Sequence, residues 1–302
     1  MSGKWTTAEI PDQSGRIAIV TGANSGLGRI TARELGRQGA GVVVACRSLE
    51  KGEAAAEEIE AEAGGPKPRV ARLDLGSLDS VRSFADEFSG QRVDLLINNA
   101  GVMMTPQRAT SDGFELQLGT NHLGHFALTG LLLEAVERSD SGRIVTLSSN
   151  EHKGGRIDFD DLQMERDYSP RDSYQRSKLA NAVFAIELDR RLRAARSSAI
   201  SVFAHPGYSA TNLQSSGPTG VTKALLAISN RVVAQSPERG ALPTLYAATA
   251  PGVEGGAYYG PDGFAQMRGF PRKVEAISDA YDPEIGQRLW RVSEELTGVS
   301  YL

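Results

Sequence analysis

The sequence predicts an α/β fold of the doubly wound class, one open seven-stranded parallel sheet with helices on both faces. Three observations predict it. Short β-branched runs alternate with helix-like segments along most of the chain. Those runs are continuously apolar rather than alternating, as a sheet covered on both faces requires. A glycine-rich turn joins the first run to the first helical segment.

Arg16–Val20 reads as the first strand, and a helical pattern follows to Gln38. Gly41–Cys46 is the second strand. Glu50–Ala63, rich in Ala and Glu, is a helix ended by Gly64-Gly65-Pro66. Val70–Leu73 is the third strand, followed by a helix near Ser77–Phe88, and Val93–Asn98 is the fourth. One long helical pattern is expected over Ser111–Arg138, then a fifth strand at Arg143–Ser148 and a helix over Ser173–Ala195. Ala199–Ala204, a helix near Pro237–Ala250 and a seventh strand at Gly256–Tyr259 complete the pattern. Right-handed crossovers would place these helices on both faces. No repeat or long linker divides the chain, so residues 1–302 are expected to form a single domain, with a loop-rich lid at about 206–235.

The 302 residues are 40% hydrophobic and 23% charged, which excludes a disordered or fibrous chain. A net charge of −4 gives no basic field for nucleic acid or anionic lipid. The lone cysteine, Cys46, excludes an internal disulfide and fits a reducing compartment. No apolar run approaches membrane-spanning length, and Met1–Gln13 is polar, so neither a membrane partner nor a signal peptide is expected. The expected location is the cytoplasm. His122 and His125 stand three apart, but no carboxylate or cysteine completes a metal set, and no metal is expected. The arginines at 190, 191, 193 and 196 end a helix, where they complement its dipole and need no nucleic acid.

After the first strand comes Thr21-Gly22-Ala23-Asn24-Ser25-Gly26-Leu27-Gly28. Glycines at 22, 26 and 28 let the backbone approach a pyrophosphate, and the helix that starts here aims its free N–H groups at it. This strand–turn–helix context implies a dinucleotide site of Rossmann type. The second strand ends Cys46-Arg47-Ser48, with no acid for a ribose 2′-hydroxyl and one guanidinium for a 2′-phosphate. NADP(H) is therefore the expected cofactor, unless Arg47 is a solvated loop arginine. Ser25 and Ser48 offer hydroxyl donors. Asp74 lies where an adenine amino group is recognised, and Leu75 where the ring packs. Asn98-Asn99-Ala100-Gly101 closes the fourth strand beside the expected crevice. Asn98 reads equally well as a cofactor contact or a structural tie, and Ala100 and Gly101 as cofactor contacts. Pro206-Gly207 follows the sixth strand, with Thr211 in reach of a nicotinamide carboxamide.

Tyr174 and Lys178 stand at i and i+4 on one helix face. A nearby ammonium favours the phenolate, so Lys178 is expected to lower the pKa of Tyr174. Ser148-Ser149 ends the fifth strand, where ligands bind in such sheets, and a hydroxyl there can hold a substrate carbonyl. Asn121 inside a helical pattern suggests a side-chain or water-mediated role.

Together these residues resemble the short-chain dehydrogenase/reductase family over roughly residues 14–300. Thr21–Gly28 is similar to the family's cofactor turn, Asn98–Gly101 to its NNAG element and Pro206-Gly207 to its PG motif. Asn121, Ser149, Tyr174 and Lys178 match its catalytic tetrad. Cys46-Arg47, Lys51-Gly52-Glu53, Thr120–Phe126 and Ser173–Asn181 resemble the retinol dehydrogenase, WW-domain oxidoreductase and protochlorophyllide reductase branch. The resemblance implies interconversion of a small-molecule alcohol and a carbonyl by hydride transfer. Tyr174 would be the acid/base, Lys178 would tune it and bind the nicotinamide ribose, and Ser149 would orient the substrate oxygen. Asn121 would hold a water linking Lys178 to solvent. It also implies a homo-oligomer through the long helices. C=C or C=N reduction is the enzymatic alternative, and a non-catalytic NADP(H) sensor is the alternative from another class.

Overall fold

A computed structural model describes residues 4–208 and 235–302. Eight strands form one sheet in the order β3-β2-β1-β4-β5-β6-β7-β8. They are β1 (Ile17–Thr21), β2 (Gly41–Cys46), β3 (Arg69–Arg72), β4 (Leu95–Asn98), β5 (Arg143–Leu147), β6 (Ile200–Ala204), β7 (Tyr258–Pro261) and β8 (Pro271–Val274). The first seven pair in parallel, with Ile19 beside Val43 on one side and Leu96 on the other. The chain winds outward from β1 to β3, then returns to lay β4 on the other flank of β1. That reversal opens a crevice above the carboxyl ends of β1 and β4, where ligands bind in open parallel sheets.

The sheet differs from the expected seven parallel strands by its eighth member. β8 runs antiparallel to β7, pairing Tyr258 with Val274 and Pro261 with Pro271. Its sequence, Pro-Arg-Lys-Val, carries no apolar run because it is an edge strand with Arg272 and Lys273 exposed.

Side chains sort to two faces by strand alternation. Ile19, Val43, Leu96 and Ile144 join one core, while Ala18, Val20, Val44, Leu95 and Val145 join the other. The helices are α1 (Gly26–Arg37), α2 (Leu49–Ala63), α3 (Leu78–Asp86), α4 (Gly124–Glu137), α5 (Pro170–Ala194), α6 (Pro237–Thr249) and α7 (Pro283–Thr297). α1, α2 and α6 cover the second core; α3, α4 and α5 cover the first. Capping sets their starts. Ser48 Oγ accepts from Lys51 N at 3.3 Å, and Ser169 Oγ from Asp172 N at 3.3 Å just before Pro170.

The helix expected over Ser111–Arg138 is broken. Ala109 bridges to Glu115, whose carboxylate then caps a single turn by accepting from Gln117 N at 2.9 Å and Leu118 N at 2.7 Å. A π turn, Gly119–Leu123, follows before α4 begins. The cap at Glu115 explains why no helix starts earlier, and π turns mark functional positions more often than chance. Asn121 lies in this turn. α7, absent from the sequence reading, packs Leu289 and Trp290 into the cores.

Candidate active site

β1 delivers Thr21 and Gly22 to the crevice. Gly22 has φ +67°, a conformation that disfavours any side chain. At Gly28 a Cβ atom would lie 2.5 Å from Asn99 Nδ2 and 2.6 Å from the Gly22 carbonyl oxygen, so only glycine fits. Ser25 stands at the N-cap of α1 without a capping hydrogen bond from its side chain, which leaves its hydroxyl and the first-turn N–H groups available to an anion. Opposite, Asn99 donates through Nδ2 to the Thr21 carbonyl at 2.7 Å, and the Ala100 N–H donates to Thr21 Oγ1 at 2.9 Å. Asn98 is fully buried and donates to Thr129 Oγ1 at 3.0 Å. Of the two asparagines, Asn99 faces the cavity; Asn98 ties β4 to α4.

β5 and α5 supply the chemistry. Ser149 follows β5 and caps a short 3-10 turn, Asn150–Gly154, accepting from Glu151 N at 3.2 Å. Ser148 also borders the cavity, but its hydroxyl is committed to the Lys178 carbonyl, to which it donates at 2.8 Å. Tyr174 and Lys178 project from one face of α5, with the ammonium 5.8 Å from the tyrosine ring centre. Lys178 Nζ donates to the Leu147 carbonyl at 3.1 Å. Burial pulls this lysine down to about 8. Burial likewise pushes the Tyr174 hydroxyl up to about 12, against a hydrogen bond from Ser149 and with a further push from the Glu151 charge. Burial thus dominates the Tyr174 hydroxyl in this structure, and the expected lowering by Lys178 does not appear in it.

One cavity of about 350 Å³ joins these parts. Gly22, Asn24, Ser25, Gly26, Leu27 and Gly28 form one end, with Asn99, Ala100 and Gly101 beside them. Ser148, Ser149, Tyr174, Lys178, Pro206 and Gly207 line the centre, and Met103, Met104, Leu147, Glu151 and Tyr208 the remainder. Sequence reasoning missed Asn99 as a wall residue; Glu151 and Tyr208 lie in the segments 150–172 and 208–235, which the sequence marks as substrate determinants without singling out either residue. Asn121 is fully buried and does not line the cavity. Its Oδ1 accepts from Val102 N at 2.8 Å, and its Nδ2 donates to the Val102 carbonyl and to Ser177 Oγ, both at 2.9 Å. Its amide therefore braces the wall rather than presenting a free face to water.

Arg47 is exposed at the end of β2, with no hydrogen bond or ion pair to other described residues, and Ser48 is committed to its cap. Asp74 Oδ1 accepts from Gly76 N at 3.0 Å, and Leu75 packs in the core; neither lines this cavity. Thr211 and most of the expected lid lie outside the described residues. Among those described, no group of three or more His, Cys, Asp or Glu could hold a metal.

A family model described as short chain dehydrogenase matches residues 16–161. Human retinol dehydrogenase 13 is 43% identical over 94% of this chain and 85% of its own length. The chain belongs to the short-chain dehydrogenase family, in its retinol dehydrogenase-like branch. Mouse polyprenol dehydrogenase, another member, is 41% identical over 99% of this chain and 88% of its own. The solved structure of an uncharacterised protein from Mycobacterium paratuberculosis superposes with a TM-score of 0.84 at 43% identity, covering 99% of this chain and all of that one. A family member from Shigella flexneri, solved in complex with NADP, shares the fold at a TM-score of 0.64 and 22% identity, over 83% of this chain and 98% of its own. Among the described residues no helix is long and apolar enough to cross a membrane.

Proposed function

We propose that this oxidoreductase interconverts an apolar alcohol and its carbonyl with NADP(H). The observation that carries the reading is the convergence of Ser149, Tyr174 and Lys178 on one cavity with the glycine turn. The cradle suits a dinucleotide: a Cβ at Gly28 would fill it, and the N-terminus of α1 faces it with the Ser25 hydroxyl uncommitted. The nicotinamide, when bound, supplies or accepts the hydride. The protein's own groups handle the proton and the oxygen. Tyr174, held protonated by burial, donates its proton to the carbonyl oxygen in reduction and takes it back in oxidation. Ser149, bonded to Tyr174, orients that oxygen. Lys178 places a positive charge beside the tyrosine and in reach of a ribose hydroxyl. Asn121 acts one step back, by fixing Val102.

The apolar part of the wall, Met103, Met104 and Leu147, supports an apolar substrate. So do the names of two relatives, which specify retinol and polyprenol. The deciding experiment follows NADPH and NADH consumption against retinal, long-chain aldehydes, ketones, quinones and steroids, with Tyr174→Phe in parallel. Turnover that disappears in the variant supports the reading; equal turnover in both overturns it.

Arg47 supports the choice of NADP(H), since a charged hydrogen bond to a 2′-phosphate contributes about 1.5–3 kcal/mol. Arg47→Ala is expected to reduce the NADPH-over-NADH preference in kcat/KM by about tenfold or more. An unchanged ratio would remove Arg47 from the phosphate site.

A further inference from the structure

We propose that His125 is a positioning residue that grips both ends of the cavity wall formed by Asn99, Ala100, Gly101 and Val102. The inference rests on the nucleotide reading above for its effect on binding, but its geometry stands independently. His125 is fully buried on the first turn of α4 and does not line the cavity. Its Nδ1 lies 2.9 Å from the Asn121 carbonyl oxygen, and its Nε2 lies 2.9 Å from Thr21 Oγ1.

A carbonyl only accepts, so Nδ1 carries the proton and Nε2 is the acceptor. The Thr21 hydroxyl then donates to Nε2; its other acceptor, the Ile97 carbonyl, is farther away at 3.3 Å. With that proton committed, the Thr21 oxygen turns its lone pairs to the Asn99 and Ala100 N–H groups, both at 2.9 Å. That is one end of the wall. At the other end, the π turn carries Asn121, whose amide holds both backbone groups of Val102. One imidazole therefore joins the strand that ends at the glycine turn, the wall after β4 and the turn that braces it. Burial keeps the ring neutral, with its pKa down at about 4, so this single tautomer persists around neutral pH.

His122 provides an internal control. It is equally buried one turn earlier, but its Nε2 bonds Ser293 on α7 at 2.9 Å, away from the wall. The test compares wild type, His125→Phe, His125→Gln and His122→Phe. NADPH affinity is read by nucleotide fluorescence, and backbone amide exchange at 99–102 is read without nucleotide. His125→Phe is expected to weaken NADPH at least tenfold and to speed wall exchange at least tenfold, with kcat at saturating nucleotide falling much less. His125→Gln, which can donate and accept, is expected to fall between, and it carries the test if the phenylalanine variant does not fold. His122→Phe is expected to leave both readouts within about twofold. Unchanged wall exchange in a folded His125 variant, or equal changes in both histidine variants, would overturn the proposal. If wild-type protein binds no NADPH, the proposed function falls, while the exchange comparison still decides the role of His125.

Discussion

Replacing Tyr174 by phenylalanine is expected to lower turnover about 1000-fold while leaving NADPH affinity within about twofold, the range in which a positioned general acid acts. The substitution removes one oxygen and keeps the ring, so the packing of this buried side chain survives. The pH profile adds a second, directional test. Burial holds the hydroxyl protonated well above neutral pH, so reduction finds its acid already charged with a proton. Oxidation needs the conjugate base, which the Lys178 ammonium beside the ring and the positive charge an oxidised nicotinamide would bring to the site both favour. Oxidation should therefore rise with pH across the neutral range while reduction stays flat up to about pH 8, where Lys178 begins to lose its proton. Two flat profiles in assays limited by the chemical step would remove Tyr174 from proton transfer.

The second large effect is a trade between stability and activity at Lys178. Lys178→Met is expected to cost at least about 100-fold in kcat/KM and yet to raise the stability of the nucleotide-free protein by about 2 kcal/mol at neutral pH. Burial without a carboxylate partner lowers the lysine from 10.5 to about 8, a penalty of about 3 kcal/mol, and the lost hydrogen bond returns about 1 kcal/mol. The Leu147 carbonyl is not orphaned, because Asn181 Nδ2 also donates to it at 3.0 Å. The sign follows from linkage. Between about pH 8 and pH 10.5 the unfolded chain holds a proton on this lysine that the folded chain has released, so wild-type stability gains with rising pH. The penalty is full below that window and gone above it. Thermal unfolding of both proteins at pH 7 and above pH 10 checks this: the advantage of the variant should shrink at high pH. A wild type more stable than the variant at pH 7 would show that the lysine is not strained.

The parts of this protein legible in the sequence are those set by local spacing. Six of the seven parallel strands stand out because they are largely buried apolar runs; the third, at the edge, shows only Val70 and Ala71 between exposed arginines. Tyr174 and Lys178 share a helix face by their spacing alone, and the glycine turn follows directly from its three glycines. What stayed hidden depends on tertiary placement. β8 is an edge strand whose charged side chains meet water, so it lacks the apolar signature of the others. α7 was legible in principle, since Asp282-Pro283 opens it and Gly298 closes it. Asn98 and Asn99 could not be told apart, because the exact residue at which β4 stops decides which one faces the cavity. Asp74 holds its own turn through Gly76, an arrangement that adjacency in sequence does not distinguish from a ligand contact. The break before Asn121 depends on the Glu115 cap, which a helical periodicity count passes over.

The eighth strand also bears on how copies of this protein can meet. An open sheet has two margins, each a template of unpaired backbone groups on which another chain can build. Here one margin is β8, with a proline at its start and Arg272 and Lys273 facing solvent. The other is β3, where Arg69 and Arg72 are exposed at the two ends of the strand. Arg69 is paired with Glu87 and Lys273 with Glu254, so the margins are blunted by the proline and by long charged side chains at the strand ends rather than by a seam of like charge. The molecule is thereby guarded against edge-to-edge polymerisation, and concentrated solutions should resist forming β-rich aggregates from the native state.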